Sequence, residues 1–417
     1  MKLGRDPEIL IHVMVVATVT PNLGQTLFAS APILPAFNPA VFDRVDLVKE
    51  EASMVELTIK DQSFDEKTSA SCGRLEIGKV KSVLPNKFPT TSELNASRLI
   101  DLKGLLPGEL IVSAKLMFPN SLKKLLTEDQ SLKDFARRLS KETAGAEEFA
   151  RVMFLCFRGD AGIERAEDLR TILDLQYFSD FDLVTIQQAK GVSAEDFSSL
   201  FNFARRWSEE RGIEKPLMPV ISAIENRQDF EKYIQPLMRR GISCLGVDMR
   251  GGFYYHSLRA LEDLKKSNPK LWIHAFQVPP KIRFARRMLT CSEGMMLPYF
   301  GVDSFSRWVV PPPPEPLTKD KINLFDRVGW GVFKRKELSG IRGRRLGCDC
   351  PVCKGLNLET FFQGRVLSAL SRSKVHDHFA QQIELKESFK HIKDKTYQKF
   401  VTSKKFARKF LDTVKKA

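Results

Sequence analysis

The chain's 417 residues, 43% of them hydrophobic, can bury a large core, and α/β barrels of 250 residues or more commonly form one domain. A formal charge of +15 at pH 7 favours a polyanionic partner, nucleic acid before an acidic membrane, because clustered Lys and Arg release counterions from phosphates. Four scattered cysteines, Cys72, Cys156, Cys244 and Cys291, make no secreted disulfide framework, so a cytoplasmic protein is expected.

The N-terminal run ILIHVMVVATVT, residues 9–20, is too short for a membrane span. With Asp6 and Glu8 before it and His12 inside it, it is a poor secretory signal and reads as a buried strand. Residues 1–70 are otherwise irregular in pattern, with room for first barrel strands. From about residue 110, short apolar runs alternate with amphipathic stretches of helical period. LIVSAKLMF (110–118) precedes SLKDFARRLSKET, ARVMFLCF (150–157) precedes ERAEDLRTILDLQYF, and DLVTIQ (182–187) precedes AEDFSSLFNFARRWSEERG. LMPVISAI (217–224) and ISCLGVDM (242–249) each lead into a further helical pattern, LWIHAFQV (271–278) leads into KIRFARRML, and MMLPYFGVDSF (295–305) closes the series. Near-continuous apolar strands separated by helices describe a parallel sheet covered on its outer face. Seven such units, with an eighth near the N-terminus, predict a (β/α)8 TIM-type barrel whose core spans 71–308.

VVPPPPEPL (309–317) cannot be a central strand, since consecutive prolines lack the N–H donors of a ladder. It is predicted as a stiff extended connector into a smaller subdomain over 309–385. Residues 386–417 carry eleven Lys or Arg against three Asp or Glu, with aromatics at helical spacing, and are predicted as a basic helical tail that touches phosphates.

GCDCPVCKG (347–355) packs Cys348, Cys350 and Cys353 into six positions. Thiolates close in sequence form a chelate loop, and a tetrahedral zinc site needs a fourth N or S ligand. His376 or His378 in KVHDHFAQQ, 23 and 25 residues beyond Cys353, supplies it. Three thiolates and one imidazole leave no open position, so the expected Zn2+ is structural.

Strand-rich α/β units followed by C-x-C-x2-C and a distal His resemble the queuine and archaeosine tRNA-guanine transglycosylase superfamily, which includes DNA-guanine transglycosylases that insert 7-deazaguanines into DNA. The similarity covers roughly residues 70–385. ELIVSAKLMFPNSLKKLL is similar to the family segment in which an apolar strand ends in N-P; FRGDAGIE stands where the family has a D-S-G-G-F-Q-like loop, GVDMRGG at its Gly-Gly loop, and GVDSFSRW at its G-x-D-x-F-D. Of these motifs only the zinc spacing is specific by itself.

The resemblance implies a (β/α)8 barrel with a zinc-binding insertion, and by its flanking residues it selects His376 as the fourth ligand. It implies exchange of guanine for a 7-deazaguanine base through a covalent glycosyl enzyme, which needs a carboxylate nucleophile and a second acid/base group. Asp160 follows the apolar run VMFLCF and Asp303 follows MMLPYFGV, so both are expected at C-terminal strand ends facing one pocket, Asp303 as nucleophile and Asp160 as acid/base. The family's own nucleophile position is Ser306 here, so either Asp303 takes that role or the protein is inactive. Base recognition falls to Gln187 or Gln188, whose amides offer both donor and acceptor. Asp248, Gly251 and Gly252 are further expected substrate contacts, while His274 and Gln277 either line the barrel mouth or sit satisfied in the core. The implied partner is nucleic acid. DNA is favoured over tRNA because VVPPPPEP replaces the P-T-R segment of bacterial tRNA enzymes and no extra RNA-binding domain follows. Assembly as a homodimer or with a partner subunit is left open. The alternative of a different class is a non-catalytic, zinc-stabilised, nucleic-acid-binding subunit.

Overall fold

The computed structural model describes residues 57–100, 102, 109–144, 148–284, 287–309, 316–338, 348–354 and 356–415. The strand expected over 9–20 and the proline run at 310–315 lie outside the described residues. Three antiparallel strands come first, β1 (Leu57–Asp65), β2 (Ala70–Ile77) and β3 (Val80–Leu84), paired in that order. The barrel then begins at β4 (Asn86–Phe88), a strand too short to leave a period-2 signature, followed by α1 (Thr91–Leu99). Thr90 and Glu93 form a reciprocal capping box that starts this helix.

The repeating units follow as their hydrophobic periods predict. β5 (Leu110–Met117) leads into α2 (Pro119–Thr127) and α3 (Asp129–Thr143), β6 (Ala150–Phe157) into α4 (Ala166–Phe178), and β7 (Val184–Gln187) into α5 (Ala194–Glu210). β8 (Leu217–Ser222) leads into α6 (Arg227–Met238) and β9 (Cys244–Asp248) into α7 (Tyr255–Ser267). After β10 (Trp272–Val278) the run expected to be helical, KIRFARRML, is instead a hairpin of β11 (Lys281–Phe284) and β12 (Arg287–Ser292). Its alternation of buried Ile282 and exposed Arg283 satisfies period 2. MMLPYF forms the end of α8 (Glu293–Met296) and a 3-10 turn stopped by Gly301 at φ +80°. The last barrel strand, β13 (Ser304–Arg307), therefore starts late in the apolar run.

The chain of pairings β4, β13, β10, β9, β8, β7 is parallel throughout, as is β5 with β6. Single parallel bridges, Thr90 to Val112 and Val152 to Leu183, join the two remaining seams. Eight parallel strands in sequence order thus close into the predicted (β/α)8 barrel. Phe154 and Phe276 stack at 4.5 Å in its interior, and a Cβ on Gly246 would stand 2.7 Å from Val220 and 2.8 Å from Phe276. Residue 246 therefore faces inward, and by strand alternation so does Asp248 at the end of β9.

β14 (Asn323–Asp326) and β15 (Gly331–Lys334) pair antiparallel and extend the β11–β12 hairpin into a four-stranded sheet. After α9 (Leu358–Phe361) a 28-residue helix, α10 (Val366–Lys393), packs against α1 and β4, and α11 (Tyr397–Ser403) and α12 (Lys405–Val414) complete the chain's described part. The expected boundary at 386 falls inside α10. Ala407, Phe410 and Leu411 of α12 are buried, and Phe410 meets Phe253 at 5.1 Å. The basic segment is amphipathic and docks by its apolar face, so it is part of the fold. Among the described residues no helix is long and apolar enough to cross a membrane.

Candidate active site and metal centre

In a parallel barrel all strands point one way, and ligands meet the C-terminal ends. Asp303 immediately precedes β13 and so lies at the opposite, N-terminal end. It is fully buried, pairs with Lys265 Nζ at 2.8 Å, and accepts the Ile273 N–H at 2.8 Å and the Ser71 hydroxyl. Asp160 lies three residues past β6 on the other end, with its side chain 94% exposed and Lys190 at 3.5 Å. The expected pairing of Asp160 and Asp303 does not occur. Gly301 ends the preceding turn too late for Asp303 to follow a strand; it leads one instead. Ser306 and His274 are core residues. His274 Nδ1 lies 2.9 Å from Ser304 Oγ and its Nε2 3.3 Å from Ser306 Oγ, the ring stacks on Phe88, and burial pushes its pKa down to about 3.

The C-terminal mouth gathers different groups. Cys156, Ser222 and Asp248 each stand at the end of an interior-facing row of their strands. Asp248 accepts the Arg250 N–H at 2.9 Å and lies 3.9 Å from the Arg250 guanidinium, which also donates to Ser222 Oγ. Burial raises the Asp248 pKa above the usual carboxylate range, while Arg250 and Arg158 pull against that rise. Arg158 stands beside Cys156, whose thiol burial pushes up to about 11. Its Nε and Nη2 are buried and have no hydrogen-bond partner, as is true of Trp308 Nε1. An orphan donor costs about 1–3 kcal/mol when left unmet, so these donors at the mouth are free to pair with water or with an acceptor on a ligand. Sequence reasoning missed Arg158 and Trp308, although each directly follows a strand, in FRGD and SRW.

Gln187 and Gln188 serve the scaffold. β6 and β7 share only one bridge, and the seam above it is filled by side chains: Gln187 Oε1 accepts the Leu155 N–H at 3.1 Å and Thr185 Oγ1 donates to the Met153 carbonyl at 2.8 Å. Gln188 Oε1 accepts the Ser222 N–H at 2.8 Å, tying β7 to β8, and the same side chain bonds Tyr233. Gln277, at φ +57° in a break of the β10–β13 register, turns inward so that its Oε1 lies 3.6 Å from Cys156 Sγ. Gly251 is required by φ +72° and by the Trp308 ring, which a Cβ would meet at 2.8 Å. The Gly251 and Gly252 N–H groups donate to the Gln277 and Met249 carbonyls at 3.1 and 2.8 Å, and are spent within the turn instead of facing a ligand.

Two further buried groups adjoin this end. Glu293 opens α8 completely buried with both carboxylate oxygens unpartnered, and burial holds it well above the usual range. Lys87, beside the interior Phe88, pairs with Glu93 at 2.8 Å under α10.

Cys348, Cys350, Cys353 and His376 are all buried, with their ligand atoms within 4.8 Å of one another. His376 Nδ1 faces the thiols, 2.9 Å from Cys353 Sγ and 3.6 Å from Cys350 Sγ, and Nε2 is fixed by the Phe325 carbonyl at 2.9 Å. A carbonyl behind the distal nitrogen orients a ligating imidazole. The donor set fits a closed structural metal site, with His376 the ligand; His378 faces Glu93 instead.

No protein-family model matches the chain, and no curated protein matches it in sequence. Among solved structures, the YdjI aldolase from Escherichia coli K12 aligns at 8% identity and TM-score 0.35, over 72% of this chain and 91% of that one. The carboxyl transferase domain of Rhizobium etli pyruvate carboxylase aligns at 10% and 0.36, over 78% and 57%. A 2,3-dimethylmalate lyase of the PEP mutase/isocitrate lyase superfamily aligns at 9% and 0.35, over 54% and 76%. The similarity is distant and is to TIM-barrel enzymes.

Proposed function

We propose that the protein is a nucleic-acid guanine transglycosylase that exchanges guanine for a 7-deazaguanine base, acting on DNA in preference to tRNA, with its reaction centre at the barrel's C-terminal mouth. The observation that carries the reading is Asp248, a carboxylate delivered inward by β9 beside the unpartnered donors of Arg158. In this reading Asp248 replaces Asp303 as nucleophile. Its carboxylate attacks the anomeric carbon as the bond to the guanine nitrogen breaks, the departing guanine taking a proton at that nitrogen from water; the incoming base then displaces the carboxylate and gives up its own N–H proton to water. Arg158 supplies hydrogen bonds suited to a purine edge, and Trp308 supplies a flat apolar face. A base in duplex DNA has to be flipped to reach such a mouth. The Cys3His site carries structural Zn2+, which suits three thiolates and an imidazole.

Incubation with radiolabelled guanine, separately with duplex DNA and with tRNA, tests the proposal. Incorporation that Asp248→Asn abolishes without loss of nucleic-acid binding is expected. A full rate in that variant refutes the role of Asp248, and no incorporation into either substrate favours the non-catalytic, zinc-stabilised subunit. The burial of Ser306 against His274, at the position of the family nucleophile, is what supports that second reading.

A further inference from the structure

A second concave surface lies outside the mouth, between the outer side of β5 and the α2–α3 pair. It encloses about 720 Å³. Its walls carry five cationic side chains and two carboxylates. Both carboxylates are already engaged, Glu142 by Lys115 and Asp134 by Arg137 at 2.8 Å. Lys124 on α2 and Lys141 on α3 are exposed and have no ion-pair partner among the described residues. The cleft therefore holds an uncompensated positive charge on two rigid helices, with Ser121 and Ser131 hydroxyls between them.

Its position gives the charge a use. α2 starts at Pro119, directly past the C-terminal end of β5, and a Cβ on Gly159 would lie 3.9 Å from the Pro119 ring. Gly159 follows Arg158 in the loop after β6. The start of α2 thus adjoins the loop that carries Arg158, and the cleft runs from there along α2 and α3 to Lys141, in the last turn of α3 toward the N-terminal end of the barrel.

We propose that this cleft binds the sugar-phosphate backbone of the nucleic acid whose base occupies the mouth. The phosphodiesters beside the reacting nucleotide run between Lys124 and Lys141. This deepens the preceding reading and rests on it for the identity of the polyanion. Phosphate contacts fix register and supply affinity while carrying no sequence information, so the cleft sets how the strand enters and leaves the choice of base to the mouth.

The test is binding of a fluorescein-labelled 20-nucleotide single strand, as DNA and as RNA, across a salt series, with the full chain. Wild type, Lys124→Glu/Lys141→Glu and Asp248→Asn are compared, each checked for its thermal midpoint. Losing two phosphate contacts should flatten the log-log salt slope by about 1.4 and weaken binding roughly 25-fold at 0.1 M salt. Asp248→Asn should keep the wild-type slope. The DNA and RNA arms report which backbone the cleft prefers. A double variant that binds with unchanged slope overturns the inference, whether or not base exchange occurs, and so does a wild type with no salt-dependent binding. A flattened slope in a protein that exchanges no base sustains the cleft and removes the exchange activity alone.

Discussion

Replacing Asp303 separates a structural carboxylate from a catalytic one. Its side chain and that of Lys265 are completely buried at 2.8 Å, and the carboxylate also accepts the Ile273 N–H and the Ser71 hydroxyl. Asp303→Ala strands a buried ammonium that keeps only the Leu271 carbonyl, at 2.7 Å. Breaking such a pair from one side costs about 3–5 kcal/mol. With an unfolding entropy of about 2.1 cal/mol/K per residue, a chain of 417 residues should lose about 3–6 °C in Tm. Asp303→Leu combined with Lys265→Met should recover most of that loss, because an apolar pair of similar volume removes both desolvation penalties. Calorimetry gives the Tm of each variant, and oligonucleotide binding at 20 °C, where all remain folded, should be unchanged. An Asp303→Ala protein with wild-type Tm and no base exchange would refute this assignment and return Asp303 to the chemistry.

Metal analysis should give about one zinc per chain, and Cys350→Ser should be metal-free and poorly soluble, because a structural zinc contributes its binding energy to folding. Burial holds the folded-state pKa of Glu293 well above its unfolded value. The native state then binds more protons than the unfolded one, and stability falls as pH rises above the ordinary carboxylate pKa, by about 1.4 kcal/mol per pH unit until the raised pKa is reached. Urea titrations should therefore find Glu293→Gln similar to wild type at pH 4 and more stable at pH 8. In the mouth, Arg158→Gln should raise the Asp248 pKa further, moving the acidic limb of any base-exchange profile to higher pH. Phe410→Ala should cost about 3–5 kcal/mol, and removal of α12 should expose Phe253, so that truncation lowers Tm as well as nucleic-acid affinity.

The barrel was legible because its signal is redundant. Each strand from β5 to β10 is a buried apolar run, and each is long enough to stand out between amphipathic helices. The metal site was legible because three of its ligands are sequence neighbours and the fourth is one of the two histidines in KVHDHFAQQ, on a single helix. β4 escaped notice because three residues carry no period. KIRFARRML was misread because its basic and apolar residues satisfy periods of both 2 and 3.6.

The carboxylates expose a different limit. Asp248 and Asp303 both sit in the pattern apolar-apolar-Asp, and in sequence nothing distinguishes an Asp that ends a strand from one that precedes the next. The decision is made by Gly301: its left-handed turn closes the helical part of MMLPYFG, leaving Val302 and Asp303 as the entry to β13. There Asp303 meets Lys265, whose side chain reaches it from the end of α7, and a cation is what a buried carboxylate needs if it is to stay charged without water. Asp248 has no such fixed cation under it. Its neighbour Arg250 bonds Ser222 as well, and Arg158 stands beside Cys156 with two of its nitrogens unpaired among the described residues. That difference in compensation, rather than strand-end position, is what fixes Asp303 in the scaffold and underlies the choice of Asp248 in the proposed reaction.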